Sequence, residues 1–363
     1  MTIYGSNDVA VADFIGAMPK VELHLHLEGS VQPSTLLTLA ARHQRPLPAR
    51  TEAELSEWFR FRDFSHFIQI YQAIGECLRE PEDFALLTSE LGAEAARQNI
   101  RYLEIHFNPE PHYRKRGIPF PDLLAGMNQG RAEARTQWGV EMRWIADGVR
   151  DAESGPISVD RTVEWIAGLD PSHGVIGLGL GGHEVGNPPG QFAAPFARAR
   201  EAGLRVVAHA GETTGPETIW GSLHELQAER IGHGIRAIDD PVLVSHLATA
   251  AIPLEVCLTS NLCTGVVAGM SDHPLRRLDE AGVTVTVNSD DPPLFGTTLT
   301  DEYQLLPRAF GYGLDDVERI ALNAVRVSFL PDAEKTRLLT MFTEEYAALR
   351  ARLGLPPAGS GAV

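Results

Sequence analysis

The sequence predicts an α/β protein built as one (β/α)8 TIM barrel, on three observations. Eight apolar, β-branched runs recur along the 363 residues, helix-like segments separate them, and the polar islands of the chain follow the runs. A closed parallel barrel gathers the C-terminal ends of its strands on one face, where active sites of such barrels lie, so islands far apart in sequence would meet there.

The runs are Val21 to His26, Ile100 to Phe107, Met142 to Ala146, Val175 to Leu180, Leu204 to His209, Arg230 to His233, Ile252 to Leu258 and Val283 to Asn288. Each is short and reads as a strand of a parallel sheet. Helix-like segments lie between them at 81–98, 120–136, 195–202, 216–228 and 273–281, with Gly203 and Gly282 as C-terminal stops. Two stretches are additions to the repeat: a helical insertion after the first strand, 51–75, and extra C-terminal helices over 301–353. Either can cover the barrel mouth. The expected organisation is one barrel domain, 1–355, followed by a flexible tail, 356–363, whose Pro356-Pro357-Ala358-Gly359 has linker composition.

Composition narrows the function classes. A hydrophobic fraction of 44% is ordinary for a globular protein, and no apolar run reaches the roughly 18 residues of a membrane span. The stretch Met1 to Lys20 lacks the basic, apolar and small-residue order of a secretory signal, so the expected location is the cytoplasm. A net charge of −17 argues against nucleic-acid partners, whose phosphates demand Lys and Arg, and leaves a small-molecule substrate. Cys77, Cys257 and Cys263 form no CxxC pair and read as small buried side chains. The sequence fixes no oligomeric state.

Four islands carry the chemistry: His24-Leu25-His26, His209-Ala210-Gly211-Glu212, His233 between two glycines, and Asp290-Asp291. In a strand, residues i and i+2 share a face, so His24 and His26 can close on one ion. His209 and Asp290 are candidates to complete the shell, since three imidazoles and a carboxylate suit a borderline divalent ion such as zinc and leave room for a water. Beside that water, His233 and Asp290 suit taking its proton, and Glu212 suits donating one if burial raises its pKa. Asp291, next to a ligand on an extended segment, should point elsewhere and meet substrate. Taken singly, each island has an ordinary structural reading, such as strand histidines, a polar turn or a helix cap. Those readings leave unexplained why all four coincide with strand ends.

The runs Lys20-Val21-Glu22-Leu23-His24-Leu25-His26-Leu27-Glu28-Gly29, His209-Ala210-Gly211-Glu212, Arg230-Ile231-Gly232-His233-Gly234, Thr259-Ser260-Asn261 and Ser289-Asp290-Asp291-Pro292 together resemble the adenosine and adenine deaminase family. The resemblance runs in order from about Pro19 to Tyr303. It implies one zinc held by His24, His26, His209 and Asp290, with Glu212 donating a proton to purine N1 and His233 orienting the hydroxide. It also implies Asp291 accepting a hydrogen bond at N7 and the Gly182 backbone near N3. The implied reaction is hydrolytic removal of the 6-amino group of adenosine or a modified adenosine, giving the 6-oxo product and ammonia.

Departures bear on specificity. Glu28 stands where members acting on adenosine commonly carry the aspartate that reaches the ribose, and Gly179 and His183 replace two aspartates of the fourth strand. Free adenine and aminodeoxyfutalosine are therefore alternative substrates. Phe61, Phe64 and Phe67 of the insertion are candidates to wall the substrate pocket. A binuclear amidohydrolase is disfavoured because none of Lys20, Lys115 and Lys335 lies near the fourth strand to bridge two ions. A catalytically silent binding protein is disfavoured because a binder needs no matched acid, base and metal shell.

Overall fold

A computed structural model describes residues 6–62, 64–150 and 155–359. Its strands are β1 Lys20–His26, β2 Ile100–Phe107, β3 Glu141–Arg150, β4 Val175–Gly182, β5 Arg205–Ala210, β6 Arg230–His233, β7 Leu254–Val256 and β8 Val285–Val287. They pair in parallel and in sequence order. A bridge between Leu25 and Asp290 brings the far edge back to β1 and nearly closes the barrel. All eight strand-like runs thus become strands. β3 extends beyond Ala146 to Arg150, because the polar Asp147 and Arg150 interrupt the apolar pattern without interrupting the ladder.

Helices Pro81–Arg97, Phe120–Trp138, Ala193–Glu201 and Leu275–Glu280 follow the spacing closely. The segment 216–228 instead splits into Pro216–Gly221 and a π-helical turn, Ser222–Leu226, stopped by Gln227 in the left-handed conformation. Helices Ser6–Ala17, Pro33–Arg42, Pro109–Arg116, Gly155–Ile166 and Pro241–Ala250 add to those read from spacing. Among the described residues no helix is long and apolar enough to cross a membrane.

The barrel interior holds ions as well as aliphatic side chains. Arg230 of β6 pairs with Glu104 of β2 at 2.6 Å and Glu255 of β7 at 2.5 Å, all essentially inaccessible to water. β2 and β6 are far apart in the strand order, so this contact crosses the interior. Each unpaired charge there would cost several kcal/mol of order, which the mutual pairing offsets.

The two additions close opposite ends. Phe61 and Phe67 of the inserted region pack on Phe295, just beyond β8. At the other end Phe329 lies under the guanidinium groups of Arg230 and Arg205, which begin β6 and β5, and Tyr346 donates to Pro19 O beside the start of β1. The inserted helices therefore sit at the mouth. The C-terminal segment around Phe329 and Tyr346 seals the base, because it returns to the strands' first residues. Beyond it, Pro356 O accepts from Arg350 at 2.7 Å and Gly359 N–H donates to Asp315 at 3.1 Å.

Candidate active site

Backbone hydrogen bonds first bring β1 and the end of β8 together. Asp290 N–H donates to His24 O at 3.1 Å and His26 N–H donates to Asp290 O at 3.0 Å. Asp290 occupies the left-handed region, φ +65°, as does His233 at +59°. Such conformations are uncommon in residues with a Cβ and are sustained here by surrounding bonds. Asp290 is consequently not on the extended segment the sequence suggested, and the divergence of Asp291 arises from this kink. The His24 ring lies over Gly232, where a Cβ would come within 2.7 Å of its Cε1.

The side chains then converge. His26 Nε2 is 3.2 Å from His209 Nε2 and 3.3 Å from Asp290 Oδ1, and His24 Nε2 is 3.7 Å from that same oxygen. Ligands about 2.1 Å from a tetrahedral ion stand about 3.4 Å from one another, so these separations have the edge length of a metal cage. The tautomers agree. His24 Nδ1 donates to Glu255 at 2.9 Å and His209 Nδ1 donates to Leu180 O at 3.1 Å, which leaves a lone pair on each Nε2. His24 Nε2 is buried without a hydrogen-bond partner, a position that a cation would satisfy.

Electrostatics point the same way. Burial lowers the pKa of His24 to about 4, and burial with neighbouring imidazoles holds His209 well below its ordinary range, so both rings are neutral donors of lone pairs. At His26 burial opposes the charge, but the hydrogen bond to Asp290 and the carboxylates of Asp291, Asp290 and Asp147 outweigh it and raise the pKa to about 10. Asp290 itself stays ionised despite burial, held by His26 and the surrounding rings. The pocket is arranged around one positive charge. Glu255 is kept ionised, near 2, by Arg230 and its bond to His24, against burial.

Glu212 lies in the turn after β5, its Oε2 3.8 Å from His233 Nε2. Burial raises its pKa, assisted by Asp290 and Glu184 and opposed by His233. The turn is held by Glu184, whose carboxylate accepts from the N–H groups of Gly211, Glu212 and Thr213 at 2.9 to 3.0 Å and from the Thr214 and Thr218 hydroxyls. His233 Nε2 also lies 3.8 Å from Asp290 Oδ2, which accepts from Ser260 at 2.7 Å.

Toward the mouth, Asp291 packs over Gly29, where any Cβ would overlap its Oδ1, and that oxygen accepts from Tyr71 at 2.5 Å. Glu28 is buried, with Oε1 accepting from Asn108 N–H and His112 Nε2 at 3.0 Å each while Oε2 has no hydrogen-bond partner. Gly182 is exposed at the end of β4 with φ +87°. Gly179 has a spatial role: a Cβ there would sit 1.8 Å from Asp147 Oδ1, so its absence admits the carboxylate of β3, which pairs with His106 Nδ1 at 2.8 Å. The Phe64 side chain lies outside the described residues; Phe61 and Phe67 pack with Phe295, 5.8 and 6.2 Å between ring centroids.

Residues 19–345 match the family model described as adenosine deaminase. The chain belongs to the adenosine deaminase family. It is 44% identical over 328 residues, 90% of each chain, to an aminodeoxyfutalosine deaminase of Streptomyces avermitilis. Among solved structures it is similar to an adenine deaminase from Arthrobacter aurescens, with TM-score 0.84, 35% identity, and coverage of 91% of this chain and 99% of that one. It is also similar to an amidohydrolase from Burkholderia ambifaria with bound zinc, with TM-score 0.87, 27% identity, and coverage of 98% and 96%. The family is metal-dependent, and His24, His209 and His233 offer ligand atoms close enough together to share an ion.

The structure of this adenosine deaminase family member brings His24, His26, His209, Glu212, His233, Asp290 and Asp291 to one end of the barrel. Several neighbours escaped sequence reasoning. Glu255, Glu104 and His106 are polar residues inside apolar runs, a signal that each has a buried partner. Glu184 follows the end of β4 by two residues, so the strand-end rule covers it too. Asp147 and Arg150 were hidden by ending the third run early. Tyr71 carried no local signal.

Proposed function

We propose that the protein is a zinc-dependent hydrolase that removes the 6-amino group of an adenine-containing nucleoside, giving the 6-oxo purine and ammonia. The observation that carries this reading is the convergence of the His24, His26 and His209 Nε2 atoms and Asp290 Oδ1 beside Glu212, a carboxyl group whose pKa is raised. One zinc per chain is proposed, held by those four residues. When bound, it supplies the Lewis acidity that readies a water molecule for attack at neutral pH.

The remaining chemistry belongs to the chain's own residues. Attack at C6 breaks the aromaticity of the ring and sends electron density toward N1, where the protonated Glu212 delivers its proton. A C6–O bond forms as the water gives up one proton, that proton passes to the amino nitrogen, the C6–N bond breaks and ammonia departs, and the remaining O–H proton restores the acid form of Glu212. Asp290 and His233 flank the attacking side. Purine N7 of an N9-substituted adenine bears a lone pair and no hydrogen, so Asp291 must donate there. This reverses the direction the resemblance implied. Burial, with Asp290 adjacent, pushes the Asp291 pKa up, which favours the neutral carboxyl form that donation requires.

For the substituent on N9, a modified adenosine is proposed, with aminodeoxyfutalosine first because of the 44% relative and free adenine as the alternative. Glu28, anchored through one oxygen with the other unpartnered, is the proposed contact on that side. The test is a spectrophotometric screen of the zinc-loaded protein against adenine, adenosine, deoxyadenosine and aminodeoxyfutalosine. The nucleosides should lead in kcat/KM, and Glu28→Asp should change their ranking against adenine. Adenine leading would replace the nucleoside assignment, and no turnover of any of the four would end the deaminase reading.

A further inference from the structure

The Asn261 amide and His273 have no part in the reaction as derived above, yet both are buried beside His233. A hydrogen-bonded chain runs outward from the His233 ring. Asn261 Nδ2 is 3.1 Å from His233 Nδ1, Asn261 Oδ1 is 3.1 Å from His273 Nε2, and His273 Nδ1 accepts the Leu275 backbone N–H at 3.1 Å. The last bond gives the chain its direction. A backbone amide can only donate, so His273 Nδ1 holds a lone pair and the ring's proton sits on Nε2, from which it is donated to Asn261 Oδ1. The amide nitrogen of Asn261 then donates to His233 Nδ1. A neutral His233 is left with its proton on Nε2, the atom 3.8 Å from both Glu212 Oε2 and Asp290 Oδ2. Burial lowers the pKa of His273 to about 4, with His233 adding to the effect, so the relay ring is neutral at working pH.

We propose that the Leu275–His273–Asn261 chain locks His233 as the Nε2–H tautomer, making His233 a hydrogen-bond donor to the attacking oxygen and not the acceptor of its proton. An Nε2 that already bears hydrogen has no lone pair for a second one. His273 and Asn261 are positioning residues, and they account for buried polar groups that would otherwise be costly in the space after β7. The catalytic consequence rests on the deaminase reading, whereas the tautomer is a property of the folded protein with or without substrate.

Two-bond 1H–15N spectra of the zinc-loaded protein carrying 15N-histidine test this directly, with His233 assigned by its loss in His233→Gln. The expected pattern near neutral pH is an unprotonated Nδ1 and a protonated Nε2. In His273→Phe the donor is gone, so that single pattern should be lost and kcat should fall about tenfold with KM within about threefold, the signature of an interaction used mainly in the transition state. His273→Gln retains an N–H donor and should recover most of kcat. A parental His233 protonated on Nδ1, or on both nitrogens, overturns the proposal, as does an unchanged His233 pattern in a folded His273→Phe. Should His273→Phe fail to fold, the parental spectrum alone decides. A parental Nε2–H pattern in a protein that turns over no 6-aminopurine would sink the deaminase reading and leave the tautomer assignment standing.

Discussion

The Tyr71 hydroxyl donates to Asp291 Oδ1 at 2.5 Å across 220 residues of chain. An inserted helix thus completes a site whose other members stand on strands and strand ends. The bond engages one carboxyl oxygen of Asp291, and the other is the one proposed to meet purine N7. Tyr71→Phe should keep zinc and fold while lowering kcat/KM by about tenfold, the worth of one buried hydrogen bond. Metal content with steady-state kinetics checks this, and unchanged kcat/KM would separate Tyr71 from substrate binding.

Glu212→Gln preserves the shape of the turn held by Glu184 but removes the proton destined for N1. It should retain its zinc and lose about 10²- to 10⁴-fold in kcat, the range for a positioned general acid. Because the pKa of Glu212 is raised by burial, the acid form persists to higher pH than for an ordinary glutamate, and parental activity should fall on the alkaline side as that proton is lost. Turnover in the variant comparable with the parent would remove Glu212 from the acid role.

Metal analysis should give about one zinc per chain, since His26 Nε2 lies 3.2 Å from His209 Nε2 and Asp290 Oδ1 lies within 3.7 Å of both His24 Nε2 and His26 Nε2. Chelation should abolish activity and lower Tm, because an ion bound only by the folded state stabilises it. A reproducible stoichiometry near two would favour the binuclear alternative.

Lys20 gives a pH signature independent of metal. Its ammonium is buried, donates to Met18 O and Gln98 O at 2.9 Å each, and has its pKa lowered by burial to about 7. The unfolded chain binds that proton up to about pH 10.4, so between about 7 and 10 the unfolded state holds more protons. The penalty for burying the charge is full below about pH 7 and is relieved as pH rises, adding up to about 1.4 kcal/mol of stability per pH unit from this group. Lys20→Met should flatten the stability difference between pH 7 and 9, measured by denaturant unfolding. Parallel pH dependences for parent and variant would contradict the assignment.

Much of the fold was legible because strand-forming runs and helical spacing are local patterns. The runs from Val21 and Ile100 declare themselves within a few residues, and His24-Leu25-His26 needs only the two-residue repeat of a strand to face one ion. The end of β3 was misjudged because Asp147 and Arg150 look like loop residues until their partners His106 and the His209 carbonyl are known. The direction of the C-terminal addition was equally hidden, since nothing near Phe329 says that it will lie under Arg230.

The sequence alone determined the alternation of strands and helices and the kinds of donor at the strand ends, because apolar periodicity acts through neighbours a few residues apart. Tertiary structure decided which lone pairs face the cluster, through Glu255 on His24 and the Leu180 carbonyl on His209. It also set the left-handed turns at His233 and Asp290 and brought Tyr71 to Asp291. These are relations between groups separated by tens to hundreds of residues, and closing the barrel is the physical event that brings them within hydrogen-bond reach.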